Sequence, residues 1–384
     1  MKKLFIIFAV LCLAAPAMAA DWNFYGSARM ATFYSVVDKD IQGDNDSVNR
    51  LDWAQQGNSR IGATVKVNDQ IGGAFEMSDS FGKRKLYGTY TFGGGSELLL
   101  GQTYTPLGSM FYSNSVFAGD GDLLGVGQFY DGRQAMIQWK TGGLKLAAIQ
   151  ANVPADGAGA VSDLDPNGVG YAVDLIIPKL EVNYKLKGDS FFMDMGAGYQ
   201  TFGIDYFAGN DPTIQAYVLA LGGGMNFGAF YVNLGGHYGQ NLGNFTGSNA
   251  ASLSGLPAIE QQVGIDANQD EIDNTGYGAL AVLGFNVSDM WSIEAGYGFE
   301  YGEFDVDGPA GEGETVQQMY INATINIAPG FFIVPEVGIA DYDYVEGRFA
   351  GEGDPNPYVF YAGATWQINF SSGRFECLIS SVKK

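Results

Sequence analysis

The chain has 384 residues, 14% of them aromatic and 56 of them glycine, and its formal charge is −22 at neutral pH. Its 42 acidic against 20 basic side chains exclude a nucleic-acid partner, because phosphate binding depends on clustered Lys and Arg. The length alone would suit two or three soluble domains, but no linker-like break in composition divides it, so one large unit is expected.

Lys2 and Lys3 precede an apolar run from Leu4 to Ala15, followed by Pro16 and the small-residue pattern Ala17-Met18-Ala19. This predicts a secretory signal peptide over 1–19, since the run is far shorter than the roughly 20 residues a helix needs to cross a bilayer. Cys12 would leave with it, and Cys377 alone cannot form an intrachain disulfide, so stability must come from closure of the fold and from lipid burial.

From Trp22 onward the chain alternates with period two in segments of ten to fifteen residues, and helical period is nowhere sustained. The segments fall near 22–37, 57–67, 70–79, 84–92, 96–104, 132–140, 143–151, 173–187, 190–203, 213–227, 228–240, 275–287, 290–303, 315–327, 331–344 and 358–370. The first places Arg29 in parity with Ser27, and the second places Arg60 and Lys66 in parity with Gly62 and Thr64; Arg84 stands near the start of the fourth. Near Gly143 and Val173 the pattern weakens, and Pro178 interrupts it, so fourteen or eighteen strands are alternatives to sixteen.

The alternation is clearest late in the chain. Trp291, Ile293, Ala295, Tyr297, Phe299 and Tyr301 oppose Ser292, Glu294, Gly296, Gly298 and Glu300, and Leu180, Val182, Tyr184 and Leu186 oppose Glu181, Asn183, Lys185 and Lys187. One face suits hydrocarbon and the other suits water. Tight connections at Asn68-Asp69, Gly93 to Gly95, Thr141-Gly142, Gly188-Asp189, Ser288-Asp289 and Ala328 to Gly330 contrast with long polar ones, among them Asp38 to Gln56, Thr105 to Asp131 and Gly243 to Asn274. Short turns at one rim and long loops at the other characterise outer-membrane barrels.

The expected fold is therefore all-β, a transmembrane antiparallel β-barrel over 20–370, closed because no sheet edge can be left unpaired in hydrocarbon. Aromatic residues near strand ends, Trp22, Tyr25, Trp291, Tyr301, Tyr358 and Trp366, are expected in interfacial girdles. Residues 371–384, where Arg374, Glu376 and Cys377 lie close together, are expected to form an extension outside the barrel.

Several segments resemble the trimeric general porins of bacterial outer membranes. Trp22 to Tyr34 resembles their first strand and Ser59-Arg60-Ile61-Gly62 their second; Tyr358 to Phe370, with Trp366 inside it, resembles their closing strand and its terminal aromatic. Glu97-Leu98-Leu99-Leu100-Gly101-Gln102-Thr103-Tyr104-Thr105-Pro106 resembles the end of their fifth strand, with Gln102 where that family usually has Arg. The resemblance implies a homotrimeric channel for small polar solutes, surrounded by outer-membrane lipid and lipopolysaccharide. It also implies that Thr105 to Asp131 folds inward as a constriction loop bearing Asp120, Asp122, Tyr112 and Phe117, facing a basic wall of Arg29, Arg60, Lys66, Arg84 and Arg133. Opposed charges there would set a field across the pore.

No resident cofactor is expected, although the acidic loops Asp38 to Asp52, Glu260 to Asp273 and Asp305 to Glu314 could hold Ca2+ or Mg2+ weakly. A sugar-specific channel, for which Tyr112 and Phe117 would serve as an aromatic slide, and a surface adhesin or structural barrel are the alternatives. An enzyme is not expected: the single histidine, His237, shares the water-facing parity of Asn233 and Gly235, with no serine at matching spacing.

Overall fold

The computed structural model describes residues 20–38, 47–151, 161–162, 168, 170–175, 177–246, 253, 256, 258–307, 311–344 and 356–372. The expected signal peptide and all but the first two residues of the C-terminal extension lie outside the described residues.

Sixteen antiparallel strands form a closed barrel. The first half comprises β1 (Asp21–Asp38), β2 (Val48–Gln55 and Arg60–Lys66), β3 (Ile71–Ser78), β4 (Lys83–Thr91), β5 (Glu97–Tyr104), β6 (Arg133–Thr141), β7 (Leu144–Ile149) and β8 (Tyr171–Asp174 and Lys179–Lys187). The second half comprises β9 (Phe191–Tyr206), β10 (Thr213–Phe227), β11 (Phe230–Gln240), β12 (Asn274–Asn286), β13 (Trp291–Phe304), β14 (Glu314–Ala328), β15 (Phe331–Asp343) and β16 (Tyr358–Ser371). Each strand pairs with its neighbours in sequence, and β16 returns to β1 in register from Tyr25↔Ser371 to Asp38↔Tyr358. At this seam the Phe370 ring lies against Gly26, where no side chain stands in its way, and the Trp366 indole donates to Thr32 Oγ1 at 3.0 Å.

Two strands are interrupted. Both parts of β2 pair with β1, separated by Gln56 to Ser59, so much of the expected first loop, 38–56, is strand that rises beside β1. Its upper part has Leu51 and Trp53 about 70% exposed. In β8 the break falls at Pro178, which has no N–H to give a ladder, and both parts resume pairing on β9. The sixteen expected segments thus all occur, with the weak eighth one split as its proline predicts.

Outward positions carry the apolar surface, including Leu86, Leu100, Ile137, Leu219, Leu221, Leu234, Leu283 and Ile321, each exposed. Such a band suits hydrocarbon and is costly in water. Trp22, Trp291, Tyr358 and Trp366 are exposed on this outer surface, as girdle residues should be, and Tyr301 is half-buried. Tyr25 departs from the expectation: it points inward and donates to Glu76 Oε2 at 3.0 Å.

The buried core lies inside the barrel rather than between layers. Residues of the β5–β6 connection, Leu107, Met110, Tyr112, Phe117, Leu123, Val126 and Phe129, share one hydrophobic cluster with Leu242, Phe245, Leu253, Leu256 and Ile259 of the β11–β12 connection. That second loop also forms a small sheet, in which Val263–Ile265 pairs with Glu271–Ile272 and with Val161–Ser162 of the β7–β8 connection.

Candidate pore constriction

A loop inside a barrel must find partners for its backbone N–H groups, since it has left bulk water without entering a sheet. Here inward-pointing glutamates of the wall accept them. Leu107 N donates to Glu181 Oε2 at 2.9 Å, Asn114 N to Glu294 Oε1 at 2.8 Å, Val116 N to Glu336 Oε2 at 2.8 Å and Gly127 N to Glu300 Oε2 at 3.0 Å. All four carboxylates are buried. Each has further donors or a cation: Tyr231 on Glu294, Asn322 and Ser115 on Glu336, Gln261 on Glu300, and Lys179 at 4.0 Å from Glu181. Buried charges without such partners would be severely destabilising.

The ends of the loop are gathered by β8. The Lys179 ammonium lies 2.6 Å from Asp131 Oδ2 and donates to the Phe245 carbonyl at 3.1 Å, joining the end of one loop to the other. Aromatic packing fixes the middle. Tyr112 stacks on Phe192 at 6.1 Å, over Gly222 and Gly235, where a methyl group would strike its ring. Phe117 stacks on Tyr361 with centroids 3.7 Å apart.

Tyr112 and Phe117 are therefore buried against the wall at 4% and 6% exposure, and serve as fasteners, not as a slide along the water path. The rings that remain part-exposed are Tyr104, Phe111 and Tyr130, which sequence reasoning did not single out together. At the tip, Asp122 and Leu123 take left-handed backbone conformations, with φ 48° and 58°, and Asp122 N donates to the Ser115 carbonyl at 2.9 Å. Asp120 ends the four-residue helix Phe117–Asp120, and its side chain lies outside the described residues.

The barrel strands β1 to β6 carry the cations. Glu76 on β3 is their hub: Arg84 Nε is 2.8 Å from Oε1, Lys85 Nζ 3.5 Å from Oε2 and Arg60 4.0 Å from Oε1. A bulge at Glu76 and Met77 leaves Arg84 between two paired residues, which turns it inward beside Lys85. Arg29 Nε donates to Ser27 Oγ at 3.0 Å, and Arg29 and Arg60 both interact electrostatically with Asp122. Arg133 donates to the Tyr104 hydroxyl at 3.1 Å and lies over its ring. Lys66 stands apart from this group: it is largely exposed at the rim, 2.8 Å from Asp69 of the following turn.

His237 points inward as its parity predicts, but it is buried rather than wetted, with Nε2 2.7 Å from Glu300 Oε1 and its ring beside Phe129. In the loop Glu260 to Asp273, Asp266 is turned onto its own backbone; the Asp270 N–H, above all, holds its carboxyl below the usual range. Among the described residues no group of three His, Cys, Asp or Glu is placed to hold a metal ion, and the region Asp38 to Asp52 is partly outside them.

The wall glutamates that hold the loop were the main omission of sequence reasoning. Their signal was present: Glu181, Glu294 and Glu300 fall at inward parity deep within strands, where a carboxylate needs a partner.

No protein-family model matches the chain, and no curated protein matches it. Solved structures do share its fold. The outer membrane channel DcaP of Acinetobacter baumannii is 17% identical, with a TM-score of 0.65 over 92% of this chain and 98% of that one. The anion-selective porin from Comamonas acidovorans is 12% identical, with a TM-score of 0.54 over 92% and 100%. A trimer form of the outer membrane protein OmpT of Vibrio cholerae is 15% identical, with a TM-score of 0.51 over 92% and 100%. At these identities the likeness is one of fold.

Proposed function

We propose that the chain is an outer-membrane porin, exported by a signal peptide over 1–19, through which small hydrophilic solutes and ions diffuse passively. The observation that carries this reading is the loop from Thr105 to Asp131 fastened inside the barrel on buried wall glutamates, while Arg60 and Arg84 of the wall gather inward on Glu76. A barrel that served only as a surface scaffold has no need of a loop tied at such depth on four buried glutamates. A water path narrowed between fixed charges sorts solutes by charge and dipole.

Among the described residues the wall carries Arg29, Arg60, Arg84, Lys85 and Arg133 with Glu76 among them, and we infer that this cationic side draws anions despite the acidic total charge. Proteins of similar fold include a channel, an anion-selective porin and a trimer form, which agree with this reading and with a homotrimer.

Reconstitution in a planar bilayer tests it. Stepwise conductance with a reversal potential on the anion side is the expected result, together with a heat-sensitive high-mass species on gels. Detergent-folded protein that gives no conductance steps would overturn it.

A further inference from the structure

Tyr104, Phe111 and Tyr130 form a triangle of rings with centroids 5.8, 6.4 and 5.9 Å apart. Tyr104 and Phe111 meet edge to face at 82°, and Tyr130 is tilted by 44° to Phe111. All three rings are part-exposed, unlike Tyr112, Phe117 and Phe129 of the same loop. The triangle adjoins the cationic wall directly: Lys85 Nζ and the Arg133 guanidinium lie 5.2 and 5.1 Å from the Tyr104 centroid, and Tyr130 interacts with Arg133 and Arg84.

This juxtaposition is unusual for a simple electrostatic filter. Apolar ring area in a water path is costly, and the loop has buried every ring it uses as a fastener. A carboxylate can be taken by guanidinium groups in fork geometry, while a planar apolar group attached to it can lie against the neighbouring rings. An inorganic anion uses only the first half of that arrangement, and a sugar only the second. We propose that the corner bounded by Tyr104, Phe111, Tyr130, Lys85 and Arg133 is a transient binding subsite for aromatic carboxylates on their way through the pore. The proposal rests on the channel reading above and adds a solute class to it.

The test compares benzoate with hexanoate, each added to chloride solution bathing single channels in a bilayer. Both carry one carboxylate, and only one carries a ring. For the unaltered protein, benzoate is expected to interrupt the chloride current with residence times about two- to tenfold longer than hexanoate, the gain that ring–ring contact supplies. Phe111→Leu, which keeps the apolar bulk and removes the ring, is expected to bring the two residence times together while the reversal potential in chloride stays where it was. Tyr130→Leu serves as a second variant if the first does not fold, with heat-modifiable gel migration as the check on folding.

Equal residence of benzoate and hexanoate in the unaltered channel overturns the subsite and leaves the porin reading standing. The same follows if Phe111→Leu and Tyr130→Leu both keep the benzoate preference. Absence of any conductance overturns both.

Discussion

Lys179 and Asp131 meet at 2.6 Å with neither side chain exposed, and this one ion pair joins the returning end of the inward loop to the barrel strand β8. Removing one partner of such a pair leaves a buried charge uncompensated, at a cost of about 3–5 kcal/mol. Asp131→Asn is therefore expected to lower the temperature at which the folded species is lost on gels and to make the open-channel current noisier. An unchanged thermal transition and a quiet current would contradict the fastening role.

Glu336 receives Val116 N, Phe117 N and Ser115 Oγ from the loop. Truncation to Ala leaves those donors unpaired, and each buried unpaired donor costs about 1–3 kcal/mol. We expect Glu336→Ala to release the loop from the β15 wall. The check is liposome swelling with sugars of graded size, in which larger sugars should enter faster than they do through the unaltered barrel.

Gly222 leaves room for the Tyr112 ring, which a side chain there would meet. Gly222→Val should displace Tyr112 from its stack on Phe192, with overpacking costing about 1–3 kcal/mol. Protease cleavage within Thr105 to Asp131 is the readout: the variant should be cut and the unaltered protein should resist.

On the proposed reading Arg60 and Asp122 act on a passing ion with opposite sign. At ~8 Å in water one charge contributes about 0.5 kcal/mol, or about a twofold change in local ion concentration. Arg60→Gln should shift the reversal potential toward cations, and Asp122→Asn should shift it toward anions. Both shifts should shrink at high salt, where the charges are screened.

Much of the fold could be read from period two alone. The strands announce themselves because one face must be apolar and the other polar along their whole length, as in Trp291 to Tyr301, and Pro178 announced the break in β8. The inward parity of Arg29 and Arg60 followed from the same count. What parity cannot reveal is direction within a loop: Tyr112, Phe117 and Tyr130 are equally aromatic in the sequence, yet two are buried in the wall and one is part-exposed. Tyr25 failed for a related reason, since an aromatic near a strand end fits a girdle until Glu76, fifty-one positions away, is seen to accept a hydrogen bond from its hydroxyl. The bulge that turns Arg84 inward was likewise invisible, because it is a property of the pairing between β3 and β4 and not of either strand.

Glu181, Glu294, Glu300 and Glu336 all grip peptide nitrogens of the inward loop. A peptide N–H is common to every residue but proline. The staves of the barrel thus hold the loop by a part that substitution does not erase, which frees many of its pore-side letters to drift. A lineage could in this way retune what its envelope admits, one side chain at a time, without reinventing how the sieve is hung.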